Sequence, residues 1–235
     1  MTSSTPIRFA FITDSHIREK GDVAWRHLQA AIAQISRDAP DFVVFGGDLL
    51  CAEGSMLRAN AIVDLFGPLA CPVHFLLGNS DLAARSLGNT ALPDVPPHFT
   101  FTLRSWAFIG FDTSAGTLST REDQWLAEQL AHHGHRRIVL FTHYYHAALD
   151  ATGKEGLEAR LRTPGARHLI SGHGHRTEQH AISTWTQHLV AGIDPLKPTP
   201  HAPGYDLFTA QEETLRRRRR VVRIWGEHEE SPQPP

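Results

Sequence analysis

Apolar residues run along the chain in two rhythms that predict alternating strands and helices. Ile7-Arg-Phe-Ala-Phe-Ile-Thr13 reads as a strand ending in polar residues. Trp25, Leu28, Ala31, Ile32 and Ile35 then recur at helical spacing, which predicts an amphipathic helix over about 22–37. Phe42-Val-Val-Phe45 is a continuous β-type run, as in a strand buried on both faces. Ile62, Val63, Leu65 and Phe66 suit a second helix stopped by Gly67-Pro68, and Val73–Leu77 a third strand. This β-α-β-α-β order implies a largely parallel sheet with right-handed crossovers. Residues 80–98 lack periodicity and hold three prolines, so they read as a long loop of the kind that often serves function.

Beyond that loop, Trp106–Phe111 and Ile138–Phe141 read as strands. Between them Ser119 and Glu122 form a capping-box pattern before a helix ended by Gly134. A short helix near 155–162 leads to a strand at His168-Leu-Ile170. From about 178 the pattern turns to short strands at 180–185, 187–191, 205–209 and 219–225, which suggests an antiparallel portion closing a second sheet. The charged, proline-rich tail 227–235 reads as disordered, leaving residues 1–226 as one domain.

Composition narrows the class. The 235 residues suffice for a core without disulfides or a structural metal. The hydrophobic fraction of 41% and charged fraction of 20% are those of a globular protein. The net charge of -2 argues against a surface built for nucleic acid. Only two cysteines occur, Cys51 and Cys71, and they read as small core residues in a reducing compartment. No apolar run is long enough to span a bilayer, and no secretory signal is visible, so a cytoplasmic location is expected with no membrane partner.

The 16 histidines are the unusual count, because imidazole is the commonest metal ligand. Five polar clusters each follow a predicted strand: Asp14-Ser-His16, Gly46-Gly-Asp48, Gly78-Asn-Ser-Asp81, Thr142-His143 and Ser171-Gly-His-Gly-His175. Each alone has an ordinary reading as a cap, a turn or a core histidine. Together, at the carboxyl ends of strands where α/β sheets bind ligands, they gather Asp14, His16, Asp48, Asn79, His143, His173 and His175. Four imidazoles and three oxygen donors suit borderline divalent ions such as Mn, Fe, Co or Zn. Seven donors are too many for one ion and about right for two sharing a carboxylate.

These five blocks resemble the signature of the calcineurin-like metallophosphoesterases over roughly residues 7–175. The resemblance implies an α/β fold, a four-layer αββα sandwich of two mixed β-sheets flanked by helices. It implies that Asp14, His16 and His175 bind one metal, that Asn79, His143 and His173 bind the other, and that Asp48 bridges them. The spacing, 34 residues from Asp14 to Asp48 and 31 from Asp48 to Asn79, resembles the small bacterial phosphodiesterase branches. Two cations would clamp phosphoryl oxygens and lower the pKa of a bound water, so that hydroxide attacks at neutral pH.

The chain departs from the family at Ser80, where many members carry a histidine that protonates the leaving group. A serine hydroxyl is too weak an acid for that role. Either Ser80 is a turn residue and His146 supplies the proton, or the leaving group departs unaided. Asp81 would orient a group at position 80. Tyr144 and Tyr145 either stack on a substrate ring or pack. His132, His133 and His135 read as surface groups near a helix end. The run Arg216–Arg220 is either a phosphate patch or, the preferred reading, an edge strand whose arginines deter pairing and find Glu212 and Glu213. The expected activity is hydrolysis of a small phosphodiester, a nucleotide or cyclic nucleotide among the candidates. The alternatives are a phosphomonoesterase or nucleotide pyrophosphatase of the same fold, or a scaffold that has lost catalysis.

Overall fold

The computed structural model describes residues 5–52, 59–86, 96–182 and 184–224. The tail expected to be disordered lies outside them. Among the described residues, eleven strands form two mixed sheets. The first is ordered β11 (Thr214–Val221), β10 (Gly204–Gln211), β1 (Ile7–Ile12), β2 (Phe42–Gly46), β3 (Val73–Leu76). The second is ordered β4 (Phe99–Leu103), β5 (Trp106–Gly110), β6 (Arg137–Thr142), β7 (Ala166–Ser171), β9 (Trp185–Leu189), β8 (Glu178–Ile182). β1, β2 and β3 run parallel, as do β5, β6, β7 and β9. Both sheets therefore deliver several strand ends in one direction.

Side-chain alternation along these strands produces the layers. On β1, Phe9 and Phe11 face the space between the sheets, while Ala10 and Ile12 face α1 (Val23–Asp38). On β5 and β6, Phe108, Val139 and Phe141 meet Phe9, whereas Ala107, Ile109, Ile138 and Leu140 face α4 (Thr120–His133) and α5 (Ala151–Leu161). Phe9 is the hub: its ring stacks on Phe42 and Phe208 at 4.9 and 5.1 Å and meets Phe108 and Phe141 edge-on at 5.5 and 5.7 Å. The result is the αββα sandwich. α1 starts where the Asp22 side chain accepts the Trp25 N–H, and it ends at Ala39, whose backbone is left-handed (φ 46°).

Several elements differ from the sequence pattern. A short helix α2 (Ala59–Val63) runs into a 3-10 turn at Asp64–Phe66. Within the expected loop at 80–98 stands most of a helix, α3 (Asn79–Ser86), and β4 follows directly after the loop; residues 87–95 lie outside the description. α3 is too short for periodicity to reveal, and its Asp81 is held by distant backbone. β4 does alternate, as Phe99-Thr-Phe-Thr-Leu103, and pairs antiparallel with β5.

The late antiparallel portion expected to close a second sheet is divided between the two sheets. β8 and β9 extend the second sheet, and β10 and β11 extend the first. β11 begins earlier than expected because its arginines are used on alternate faces. Arg217 reaches Asp206 and the carbonyls of Glu178 and Leu189, fastening one sheet to the other. Arg219 bonds Asp206 and Ala191 O, and Arg220 forks onto Asp38. The expected partners are replaced: Glu213 instead pairs with Arg137. His133, expected at the surface, is buried against Thr100. Cys51 and Cys71 are free and half-buried rather than core.

Candidate metal centre

The polar clusters come from two sheets rather than one. Asp14, Asp48 and Asn79 follow β1, β2 and β3, while His143, His173 and His175 follow β6 and β7. They meet as two groups. Asp14, His16 and His175 offer ligand atoms within 4.8 Å of one another, and so do Asp48, His143 and His173. In the first, His175 Nε2 lies 3.5 Å and His16 Nε2 3.8 Å from Asp14 Oδ1, with the two ring nitrogens 3.3 Å apart. In the second, His143 Nε2 lies 3.5 Å from Asp48 Oδ1 and 3.2 Å from Asn79 Oδ1. Asp48 faces both groups, its Oδ2 standing 3.6 Å from His16 Nε2.

The backbone is bent sharply to achieve this. Of the eight non-glycine residues with positive φ among those described, five are Asp14, His16, Asp48, His173 and His175, at 44–62°. Each such position costs on the order of 1–3 kcal/mol and persists where the surroundings enforce it, typically at functional sites. The glycines permit close approach. A Cβ on Gly78 would stand 2.1 Å from Asp48 Oδ1, and one on Gly172 would stand 2.2 Å from Thr13 Oγ1.

The donors suit divalent cations. Asp14 Oδ1 is buried and accepts no hydrogen bond although it faces two imidazoles. Burial holds the pKa of His16 below the usual imidazole value, and that of His173 at about 4, so both rings keep a free lone pair. His143 is fully buried, which disfavours its charge. The Asp48 carboxylate outweighs that and lifts its pKa to about 9, so the charge a cation would bring is here mimicked by a proton. Asp48, despite burial, is held far below the ordinary carboxylate range by His143 and His16. The His143 Nδ1–H donates to Gly46 O at 2.8 Å, which leaves Nε2 for the centre. Mixed imidazole and oxygen donors fit ions of the Mn, Fe, Co and Zn type.

The other residues singled out from the sequence lie around these groups. The Ser80 hydroxyl donates to Asp48 Oδ2 at 3.0 Å and its N–H to Oδ1 at 2.8 Å, so the residue braces the carboxylate. Asp81 turns away and accepts the N–H groups of Leu50 and Gly78, tying the β2 loop to the β3 loop. Its burial, with Asp48 nearby, raises its pKa to about 7. Tyr144 stacks on His173 at 3.9 Å, and Tyr145 lies under Arg176. His146 sits 3.0 Å from Glu158 and edge-on to Trp185, engaged outside both groups.

The sequence reading missed the segment after β9. The N–H groups of Ile193 and Asp194 donate to Thr13 O and Asp14 O, and the Thr199 hydroxyl donates to His175 O. A Cβ on Gly192 would stand 2.7 Å from Asp14 Cβ. The signal was present: Leu189-Val-Ala-Gly-Ile-Asp194 repeats the order of strand, glycine and acid seen at the other strand ends.

Comparison with known proteins agrees with this geometry. In solved structures, the fold resembles a dimetal phosphatase from Danio rerio at TM-score 0.74 and 15% identity, covering 92% of this chain and 96% of that one. It resembles a purple acid phosphatase from yellow lupin (Lupinus luteus) seeds at TM-score 0.70 and 14% identity, covering 92% and 52%. It also resembles GAP50, the anchor in the inner membrane complex of Plasmodium, at TM-score 0.65 and 16% identity, covering 91% and 84%. At such identities the likeness speaks for the fold alone. No curated protein sequence matches the chain. Among the described residues no helix is long and apolar enough to cross a membrane. The sequence profile of the calcineurin-like phosphoesterases matches residues 7–177, and with its five strand-end clusters joined in one two-part centre, the chain belongs to that family.

Proposed function

We propose that this protein is a two-metal phosphoester hydrolase that acts on a small phosphodiester, a nucleotide or cyclic nucleotide being suitable candidates. What carries the reading is the meeting of two groups, each of one carboxylate and two imidazoles, with Asp48 facing both. When bound there, two divalent ions, of Mn, Fe, Co or Zn, would supply Lewis-acid clamping of the phosphoryl group and activation of water. Asp14, His16 and His175 would hold one ion and Asn79, His143 and His173 the other, with Asp48 between. Asn79 stands at the rim of this set, where its amide can also donate to a phosphoryl oxygen.

Ser80 bears on which leaving groups can depart. Its hydroxyl is spent on Asp48, so this position offers no proton to an alkoxide, and good leaving groups are favoured. His146, turned to Glu158, does not compensate from its present place. The reading implies a small-molecule partner, neither nucleic acid nor membrane, and a cytoplasmic setting that keeps Cys51 and Cys71 reduced. The test is hydrolysis of bis-p-nitrophenyl phosphate against p-nitrophenyl phosphate, with Mn, Co, Ni, Mg and Zn in turn. Metal-dependent turnover favouring the diester is expected. Preference for the monoester overturns the diester assignment, and full metal loading without turnover of either marks a scaffold.

A further inference from the structure

α3 carries its metal-facing residue and a second surface on one stripe. Asn79, Leu82, Ala83 and Ser86 fall at three- and four-residue spacing, while Ser80, Asp81 and Ala84 form the buried face. The exposed stripe lines a cavity of about 470 Å³ whose other wall is Ala115 and Tyr144. The cavity adjoins the second donor group through two of its lining residues. Asn79 stands 3.2 Å from His143 Nε2, and Tyr144, on the cavity wall, stacks on His173. Leu82 is 39% exposed, one of three large apolar side chains so placed among the described residues. Arg85 adds a planar guanidinium to the lining. A cleft of this size, mostly apolar with a few polar groups, is of the kind that holds an organic ligand.

We propose that this cavity is the subsite for a ring-bearing group of the phosphoester, an aryl or nucleoside moiety whose phosphoryl end lies at the two donor groups. The assignment rests on the phosphoesterase reading and adds the substrate's organic half. Leu82, Ala83 and Ala115 offer apolar contact to a ring face, and a guanidinium such as that of Arg85 stacks on flat rings. A substrate without a ring forgoes this contact and is held by its phosphoryl group alone.

The test compares two non-hydrolysable probes on the manganese-loaded full chain, phenylphosphonate and methylphosphonate, by calorimetry. Both carry the same head group, so their ratio of Kd reads the cavity. The phenyl compound is expected to bind about ten-fold tighter. Leu82→Gln on one wall and Ala115→Phe on the other should each bring the ratio near one, with metal content and the methylphosphonate Kd unchanged. Equal affinities in the unmodified protein, binding of neither probe, or a ratio insensitive to both substitutions overturns the subsite. Hydrolysis assays separate the two readings. Turnover with a ratio of one leaves the phosphoesterase and removes the subsite. The expected ratios without turnover support the subsite and remove the hydrolase.

Discussion

The two donor groups use the same set, one carboxylate and two imidazoles, and differ in how fully their polar atoms are paired. In the group of Asp48, His143 and His173, the carboxylate and the inner nitrogen of His143 have hydrogen-bond partners. Ser80 donates to both oxygens of Asp48, Gly46 O accepts from His143, and Tyr144 covers His173. In the group of Asp14, His16 and His175, all three residues sit at positive φ, against two of three in the other group, and Asp14 Oδ2 accepts from the Thr13 hydroxyl and the His173 N–H. Asp14 Oδ1 and His175 Nδ1 are buried without a hydrogen-bond partner. The Nε2 atoms of His16 and His175 face each other there 3.3 Å apart. The first arrangement is stable before any cation arrives. The second is frustrated until one does, since an unpaired buried polar atom costs about 1–3 kcal/mol. Ligands that are already fixed also lose less freedom on binding. The Asp48 group should therefore fill first and with little rearrangement.

The largest expected effect is thermodynamic. Adding Mn to metal-free protein at about 1,000 times its Kd should raise stability by about 4 kcal/mol. Hydrogen exchange should show the added protection concentrated in the loops of Asp14 and His175. Uniform protection across both groups would erase the contrast between them.

A control comes from buried histidines that bind nothing. His168 and His188 lie 3.3 Å apart beneath Phe208 and Trp106, and burial depresses their pKa values to about 4 and about 3. The unfolded chain then takes up protons that the native state refuses. Stability is full above about pH 6.5 and falls as pH drops toward 4, by on the order of 3 kcal/mol for each ring. Thermal melts of His188→Leu should show a flatter acid limb whether or not Mn is present. An unchanged limb would place the acid sensitivity at the metal centre instead.

Next in size, Asp48→Asn should weaken both ions by at least about 100-fold, since even residues behind metal ligands are worth 10–100-fold. His175→Ala should affect mainly the first ion and His143→Ala mainly the second. Metal analysis finding full loading in the Asp48 variant would dismiss the shared carboxylate.

The smallest effect concerns Ser80. Ser80→Ala removes one of the two bonds to Asp48 and should cost about ten-fold in metal affinity. Ser80→His should flatten the dependence of kcat/KM on leaving-group pKa, at some loss in affinity. Equal slopes would mean that position 80 lies away from the leaving group.

Much of this molecule is written locally. Strand runs followed by Gly-Asp, Gly-Asn or Gly-His-Gly-His are visible because strand burial and glycine turns act over a few residues, and their chemistry travels with them. The chain alone therefore determined the alternating elements, the four-layer fold expected of its family and the seven donor types. Tertiary structure decided what depends on partners far away in sequence. It divided the donors between two sheets, because strand order is set by pairing and not by succession. It made a helix of Asn79–Ser86, where Asp81 binds the backbone of a loop some 30 residues back. It turned the arginine run into a fastening between sheets, because Asp206 and the ends of β8 and β9 lie within reach of alternate side chains. It gave the Ser80 hydroxyl to Asp48 and the His146 ring to α5, choices that rest on which acceptor stands nearest once the chain has closed.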